Sequence, residues 1–253
     1  MIAHDSMSAS NFAAINLGIV CPMANEQASA VKFVNEVLDK CLSHSFRSVT
    51  FFAILDRVSR DRTLELLNEL RNERPELEVV WAPENRSPVD AYVRGYREAL
   101  NAECDWILEI DAGFSHQPED IPQFFQKMTE GYDCVFGSRF CEGGKITDTS
   151  QKRKLISRGG TILTNAVMGT KLSDMTSGFE LFSRDALEYI LSKGIHSRAH
   201  FFQTEIKIHC RNLRVAEVPI HYRAASPSVD TSVLKDSLYN LWRVYRLRRQ
   251  AKL

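Results

Sequence analysis

The chain has 253 residues, enough to bury a substantial core as one large domain or two small ones. Apolar residues make up 44% and charged residues 25%, as in ordinary globular proteins, and not the composition of a disordered or fibrous chain. Lys+Arg and Asp+Glu balance at 32 each, which argues against a protein that coats nucleic acid. In chain order, residues 1–13 are small and polar and read as a disordered tail. Ile15 to Cys21 is a first apolar strand, stopped by Pro22. From Glu26 to Leu42, Val31, Val34, Val37, Leu38 and Cys41 fall at helical spacing. Ser48 to Leu55 is a second strand, ending at Asp56. Ser59 can cap a helix whose apolar face is Leu66, Leu67 and Leu70, and Pro75 ends it. Leu77 to Trp81 gives a third strand, and Ser87-Pro88-Val89-Asp90 starts the next helix.

Trp106 to Ile110 is a short apolar run suited to a strand buried on both faces, and it ends at Asp111. A helix over Pro118 to Thr129 and a fifth strand at Asp133 to Gly137 follow. Strands and helices alternate without a hairpin signal, which predicts a mostly parallel α/β sheet. No G-x-G-x-x-G, P-loop or nucleophile-elbow pattern is present. Ligands of such sheets sit at the carboxyl ends of strands, where Pro22, Asp56 and Asp111 fall. An Asp in that place also serves as a turn former, so the rest of the chain must decide.

The second half differs. Between Arg139 and Arg158 stand Lys145, Lys152, Arg153 and Lys154 against only Glu142 and Asp148. This is either a solvated loop or an anion-binding wall, since Arg and Lys are the usual partners of phosphate. A helix to Met168, helices near Ala186–Leu191 and His200–Asn212, and a strand at Val215 to Tyr222 complete the core. From Leu234 to Tyr245, the residues Leu234, Leu238, Leu241, Trp242 and Tyr245 share one helix face, beside Arg243, Arg246, Arg248, Arg249 and Lys252. Such a helix packs on its domain or a second subunit of a homo-oligomer, or lies on an anionic membrane surface.

Six scattered cysteines form no C-x-x-C or zinc pattern and point to a reducing compartment. There is no signal pattern and no window of roughly 18 uninterrupted apolar residues. The expectation is a cytoplasmic protein, soluble or peripheral on the cytoplasmic face of a membrane.

Acids for a base, ribose or metal plus arginines for phosphate suit a nucleotide-diphosphate donor. The motifs carry this further. Pro22-Met-Ala-Asn25-Glu26, Asp56-Arg57-Val58-Ser59-Arg60-Asp61-Arg62-Thr63, Asp111-Ala112-Gly113-Phe114-Ser115-His116-Gln117-Pro118-Glu119 and Gly137-Ser138-Arg139 appear in order. Arg153-Lys154-Leu155-Ile156-Ser157, Thr176-Ser177-Gly178-Phe179, Phe202-Gln203-Thr204-Glu205 and Glu217-Val218-Pro219-Ile220 follow. In these the chain resembles the family 2 glycosyltransferases of GT-A fold, in the dolichyl-phosphate mannose synthase-like branch.

The resemblance implies a GT-A domain over 14–225, with 226–253 as a C-terminal amphipathic basic helix. It implies an inverting glycosyltransferase of glycolipid or polysaccharide synthesis, using a GDP- or UDP-sugar, weakly bound Mg or Mn, and an acceptor such as a polyprenyl phosphate. Pro22, Asn25, Glu26 and Asp56 would meet the nucleotide, and Asp111 the diphosphate and metal. Arg139, Arg153, Ser157, Asp174 and Ser177 would lie on the acceptor side, with Asp111, Arg139, Gln203 and Glu205 as the catalytic set. His116 reads as a loop hydrogen-bonder rather than a base.

Three departures stand out. Gly113 replaces the second acid of the D-A-D motif, which lowers the expected metal affinity. Arg57 replaces the second acid of the D-D motif, and Ala225-Ser226-Pro227-Ser228-Val229 replaces a basic segment. Two alternatives therefore stand beside the main expectation: a soluble or protein acceptor, and a nucleotide-sugar-binding pseudoenzyme.

Overall fold

The structure, a computed structural model, describes residues 12–148, 150–223 and 231–249. The chain opens with β1 (Asn16–Pro22), α1 (Ala30–Leu42), β2 (Ser48–Leu55), α2 (Thr63–Leu70), β3 (Leu77–Trp81) and α3 (Pro88–Asn101). Then come β4 (Trp106–Glu109), a 3-10 turn leading into α4 (Ile121–Met128), β5 (Cys134–Ser138) and a short β6 (Lys145–Thr147). The remainder is α5 (Gln151–Met168), β7 (Glu180–Ser183), α6 (Arg184–Lys193), α7 (Phe201–His209), β8 (Val215–Pro219), β9 (His221–Arg223) and α8 (Thr231–Arg249).

Seven strands form one sheet in the order β3-β2-β1-β4-β7-β5-β8, and β6 pairs with β9 in a small second sheet. All pairs in the large sheet are parallel except those of β7, which runs antiparallel to both β4 and β5. Alternate residues of each strand face opposite sides, as the strand period demands. Phe51, Ala53 and Leu55 of β2 join the core under α1 and α4, while Phe52 and Ile54 join the core under α3, α6 and α7. The mostly parallel α/β sheet expected from the alternation is the one observed. The reversal at β7 is new: four residues with an acid and a serine give no period to read, and they insert between β4 and β5.

Local hydrogen bonding accounts for the other differences. Helix α1 is regular from Ala30 rather than from near Glu26; before it, Ser29 N and Ala30 N close a turn on Glu26 O, and the next loop takes the turn's free amides. Glu26 N donates to Thr63 Oγ1 at 2.8 Å and Gln27 N to Asp61 Oδ2 at 3.0 Å. Ser59 does not cap α2; its hydroxyl accepts from Asn25 N, and Asp61 accepts from Thr63 N at 3.0 Å instead. Ser150 caps α5 by accepting from Arg153 N at 3.3 Å, so the basic residues expected on a loop lie on the helix's first two turns. The late strand is broken after Pro219, which cannot donate to a ladder, and its second half leaves for the small sheet.

The proposed tail lies outside the described residues up to 11. Phe12, counted in it, is packed against Phe46 and Phe125, with centroids 4.9 and 6.4 Å away. The segment Ala225 to Val229 also lies outside the described residues. Helix α8 forms as expected, but its apolar residues divide. Leu241 and Val244 are buried with Met168, Met175, Phe201 and Ile208, whereas Leu238 and Trp242 are exposed. The side chain of Leu234 lies outside the described residues.

Candidate active site

The carboxyl edge of the sheet gathers Pro22, Asp56 and Asp111. Val20 of β1 is level with Glu109 of β4, which sets Asp111 beside Pro22. Asp56 follows β2 and accepts from Val58 N at 2.8 Å, closing a turn with one carboxylate oxygen. Asp111 accepts from the buried hydroxyl of Tyr92 on α3, and its side chain keeps 36% of its surface exposed. Burial, then the Asp111 charge, pushes the Tyr92 phenol well above its ordinary pKa, so it remains a donor.

His116 lies under the same loop. Its Nδ1 accepts from Asp111 N at 3.3 Å, and burial drives its pKa down to about 4. It is a neutral loop hydrogen-bonder, as expected. Its ring packs, tilted, against Tyr222 of β9 with centroids 5.2 Å apart, and Arg223 N donates to Ser115 O at 2.9 Å. The Asp111 loop is thereby pinned to the small sheet.

Two of the candidate residues hold loops. Asn25 has a left-handed φ of 60°, donates from Nδ2 to Val58 O at 3.0 Å and accepts at Oδ1 from Arg60 N at 2.9 Å. It staples the two loops that bound the nucleotide side. Glu205 is fully buried, and its oxygens accept from His196 N at 3.1 Å and Ser197 N at 2.8 Å. This candidate of the catalytic set clamps the loop before α7 with both of its oxygens.

Gln203 points the other way from Glu205. Its Nε2 donates to Glu109, which also accepts from Tyr96. Gly178 of the T-S-G-F run makes room, since a Cβ there would lie 2.6 Å from Gln203 Nε2. Glu109 is fully buried; burial and then Glu180 push its pKa well above the carboxylate range. Beside it, the buried Lys207 donates to Glu180 Oε1 and Ser177 O, both at 2.5 Å. Among the described residues, Ser177 Oγ, Gln203 Oε1 and Glu180 Oε2 are buried without a hydrogen-bond partner. Sequence reasoning missed Glu109, Glu180, Lys207, Tyr92 and Tyr96. The signal for Glu109 was present: an acid inside a strand buried on both faces.

On the other side, Arg139 follows β5 and is almost wholly buried against Asp174. Its Nε and a terminal nitrogen bind the two carboxylate oxygens at 2.7 and 2.8 Å. Burial alone would raise the Asp174 pKa, but the Arg139 charge and hydrogen bonds hold it well below the usual range. Glu217 of β8 holds this acid from behind, accepting from Ser173 N at 2.8 Å and Asp174 N at 3.1 Å.

Arg139 also lines a cleft of about 680 Å³ with Phe140, Lys145, Ile146, Lys154, Leu155 and Arg158 among its walls. Arg153 and Ser157, expected on the acceptor side, lie on the neighbouring face of α5, one residue along from Lys154 and Arg158. The Arg158 guanidinium lies 5.0 Å over the Phe140 ring, and that of Arg139 lies 5.3 Å over it and 5.4 Å over Tyr222. Rings and guanidiniums thus run continuously from the Asp111 loop into the basic cleft.

Among the described residues, no three His, Cys, Asp or Glu side chains converge as a metal cage. Two carboxylates flank the Asp111 loop, those of Asp111 and Glu26. Gly113 has φ +75°, and a Cβ built there would lie 2.9 Å from Glu26 Oε1. Hard oxygen donors of this kind fit magnesium or manganese when phosphate oxygens complete the shell.

The profile of the family "Glycosyl transferase family 2" matches residues 18–191. An undecaprenyl-phosphate mannosyltransferase of Micrococcus luteus is 31% identical over 171 residues, covering 67% of this chain and 70% of that protein. A polyprenol monophosphomannose synthase of Mycolicibacterium smegmatis is 25% identical over 207 residues, covering 81% and 76%. Glucosyl-3-phosphoglycerate synthase of Mycobacterium tuberculosis, solved with Mn2+, UDP and phosphoglyceric acid, superposes with TM-score 0.65 at 15% identity, over 96% of this chain and 82% of that one. The same enzyme with Mg2+ and UDP gives 0.63 at 16% identity, over 98% and 85%.

Proposed function

The chain belongs to glycosyl transferase family 2, and from that premise we propose that it transfers a sugar from a GDP- or UDP-sugar to a polyprenyl phosphate with inversion. One observation carries the acceptor half: a basic cleft lined by Arg139, Lys145, Lys154 and Arg158 opens beside the Asp111 edge. Such a wall suits an anionic acceptor group. Its apolar members, Phe140, Ile146 and Leu155, suit the prenyl units next to that phosphate. The two curated relatives carry polyprenyl-phosphate mannosyl transfer in their names, which supports the same acceptor class.

On the donor side, Pro22 and Asp56 would border the nucleoside and Asp111 the diphosphate, with Glu26 between them. Magnesium or manganese, held by carboxylate and diphosphate oxygens, would supply charge neutralisation of the leaving group. Tyr92 fixes the Asp111 carboxylate, and Asp174 fixes Arg139, so both charges are placed before substrate arrives. An acceptor phosphate oxygen attacks the anomeric carbon from the face opposite the diphosphate. The bond from that carbon to the diphosphate oxygen breaks, and the nucleoside diphosphate leaves with the electron pair. The acceptor is already an anion, so no proton has to be removed, in keeping with a neutral, occupied His116.

The test is radiolabelled transfer from GDP- and UDP-linked mannose and glucose, offered a short polyprenyl phosphate or phosphoglycerate. The expected product partitions into organic solvent and is absent with Asp111→Asn, whose circular dichroism stays unchanged. Normal turnover in that variant would remove Asp111 from the mechanism. Transfer to phosphoglycerate alone would replace the lipid acceptor by a soluble one.

A further inference from the structure

The D-A-D pattern lacks its second acid here, and the structure shows what stands in the place. Gly113 lies in the left-handed region, φ +75°, and its α-carbon faces the Glu26 carboxyl group. A Cβ at 113 would sit 2.9 Å from Glu26 Oε1, 3.1 Å from Oε2 and 3.3 Å from Cδ. An aspartate there would carry its own oxygens into the same small volume. The acid is missing from one loop, and another loop delivers a carboxylate to its position.

That delivery is built into the fold. Ser29 Oγ donates to Glu26 Oε2 at 2.5 Å, and the Glu26 backbone is tied to Thr63. The residue before it, Asn25, is the left-handed staple to Val58 and Arg60. Gly113, which meets Glu26, is two residues from Asp111, and the register of β1 with β4 sets Asp111 level with Pro22. Asp111 and Glu26 therefore face a shared region at the end of β1.

We propose that Glu26 supplies the carboxylate ligand that Gly113 cannot, so that Asp111 and Glu26 together hold the divalent cation of the nucleotide diphosphate. Two carboxylates plus substrate phosphates are a common way to bind magnesium, and they neutralise its two charges. The inference rests on the nucleotide-sugar reading of the donor site. It accounts for the glycine as well: an acid side chain at 113 would collide with Glu26, so the two solutions exclude each other.

The test reads manganese binding by the loss of the free Mn2+ electron-spin-resonance signal, with UDP or GDP present. Glu26→Gln should weaken manganese binding about 10-fold or more while metal-free nucleotide affinity stays within about 2-fold. Glu26→Ala, which clears the space beside position 113, should show the same loss, and adding Gly113→Asp to it should restore manganese binding, which a purely structural role for Glu26 would not do. Should Glu26→Gln fail to fold by circular dichroism, Glu26→Asp, which keeps the charge but withdraws it, should show the same loss. Unchanged manganese binding without Glu26, beside a clear loss in Asp111→Asn, overturns this inference and leaves the donor site standing. An equal fall in metal-free nucleotide affinity overturns it too, because Glu26 would then be a nucleoside contact. A wild-type protein that takes up no manganese with either nucleotide overturns the donor-site reading itself.

Discussion

The Tyr92 hydroxyl donates to Asp111 Oδ1 from the buried face of α3, tying the half-buried acid at the end of β4 to that helix. The tyrosine ring is held in turn by Phe202 of α7, with centroids 4.9 Å apart. Asp111 can therefore face the cleft in one orientation without waiting for ligand.

Tyr92→Phe removes this tie and little else. We expect turnover to fall about 10-fold, with a stability loss of about 1.5–3 kcal/mol for one hydrogen bond to a charged group. Steady-state kinetics beside thermal melting separates the two effects. Unchanged turnover would mean that Asp111 is oriented by something other than Tyr92.

The Arg139–Asp174 pair is 8% and 0% exposed, so each charge depends on the other. Asp174→Ala leaves a buried guanidinium unpaired and should cost about 3–5 kcal/mol in urea unfolding. Replacing both residues by apolar ones should return much of that stability without returning transfer. If the single variant unfolds like wild type, the guanidinium must find water and the pair is not a structural anchor.

Much of this was legible in the sequence because parallel strands repeat a simple grammar. An apolar run followed by Pro22, Asp56 or Asp111 locates the carboxyl edge without any knowledge of tertiary packing. The start of α5 was not legible, since it depends on Ser150 as the cap; a start after Arg158 would leave the basic run on a loop. Which basic residues face the cleft follows from the helix's rotation, which the buried Thr161, Thr164 and Met168 set. Asn25 and Glu205 were found by motif, but their partners are backbone groups of Val58, Arg60, His196 and Ser197, which no motif spells out. The Glu109–Gln203 contact joins positions 94 residues apart and exists only once β4 and α7 are packed.

Acid should act on stability in two stages. His116 has a folded pKa of about 4 against 6.5 in a free chain. Between those values the unfolded state binds a proton that the folded state refuses, so stability rises with pH there and falls on acidification, by up to about 3 kcal/mol. Asp174 is depressed instead, so its contribution is present above the ordinary carboxylate pKa and fades as pH falls beneath it. Urea melts from pH 7 to pH 4 should show a shallower decline for His116→Gln than for wild type. Parallel curves would show that His116 does not remain neutral in the folded protein.

The last prediction concerns the outer faces of α5 and α8. No described helix is long and apolar enough to cross a membrane, yet Leu238, Tyr239 and Trp242 of α8 are 56%, 60% and 53% exposed. Leu155 and Ile162 of α5 are 73% and 70% exposed, on the helix that also brings Lys154 and Arg158 to the cleft. Arg246 lies 4.7 Å over the Trp242 ring, which couples a charge to an apolar body at the surface. Apolar side chains interleaved with cations complement an anionic bilayer, where a polyprenyl phosphate would be found. Truncating α8 is a poor test, because Leu241 and Val244 belong to the core beneath it. Leu238→Ser with Trp242→Ser spares those residues. Wild-type protein should sediment with vesicles containing anionic lipid, less so as salt rises and not with neutral vesicles. The double variant should stay in the supernatant while keeping its melting temperature within a few degrees. Wild-type protein that stays in solution with anionic vesicles at low salt would end the membrane reading and favour a soluble acceptor.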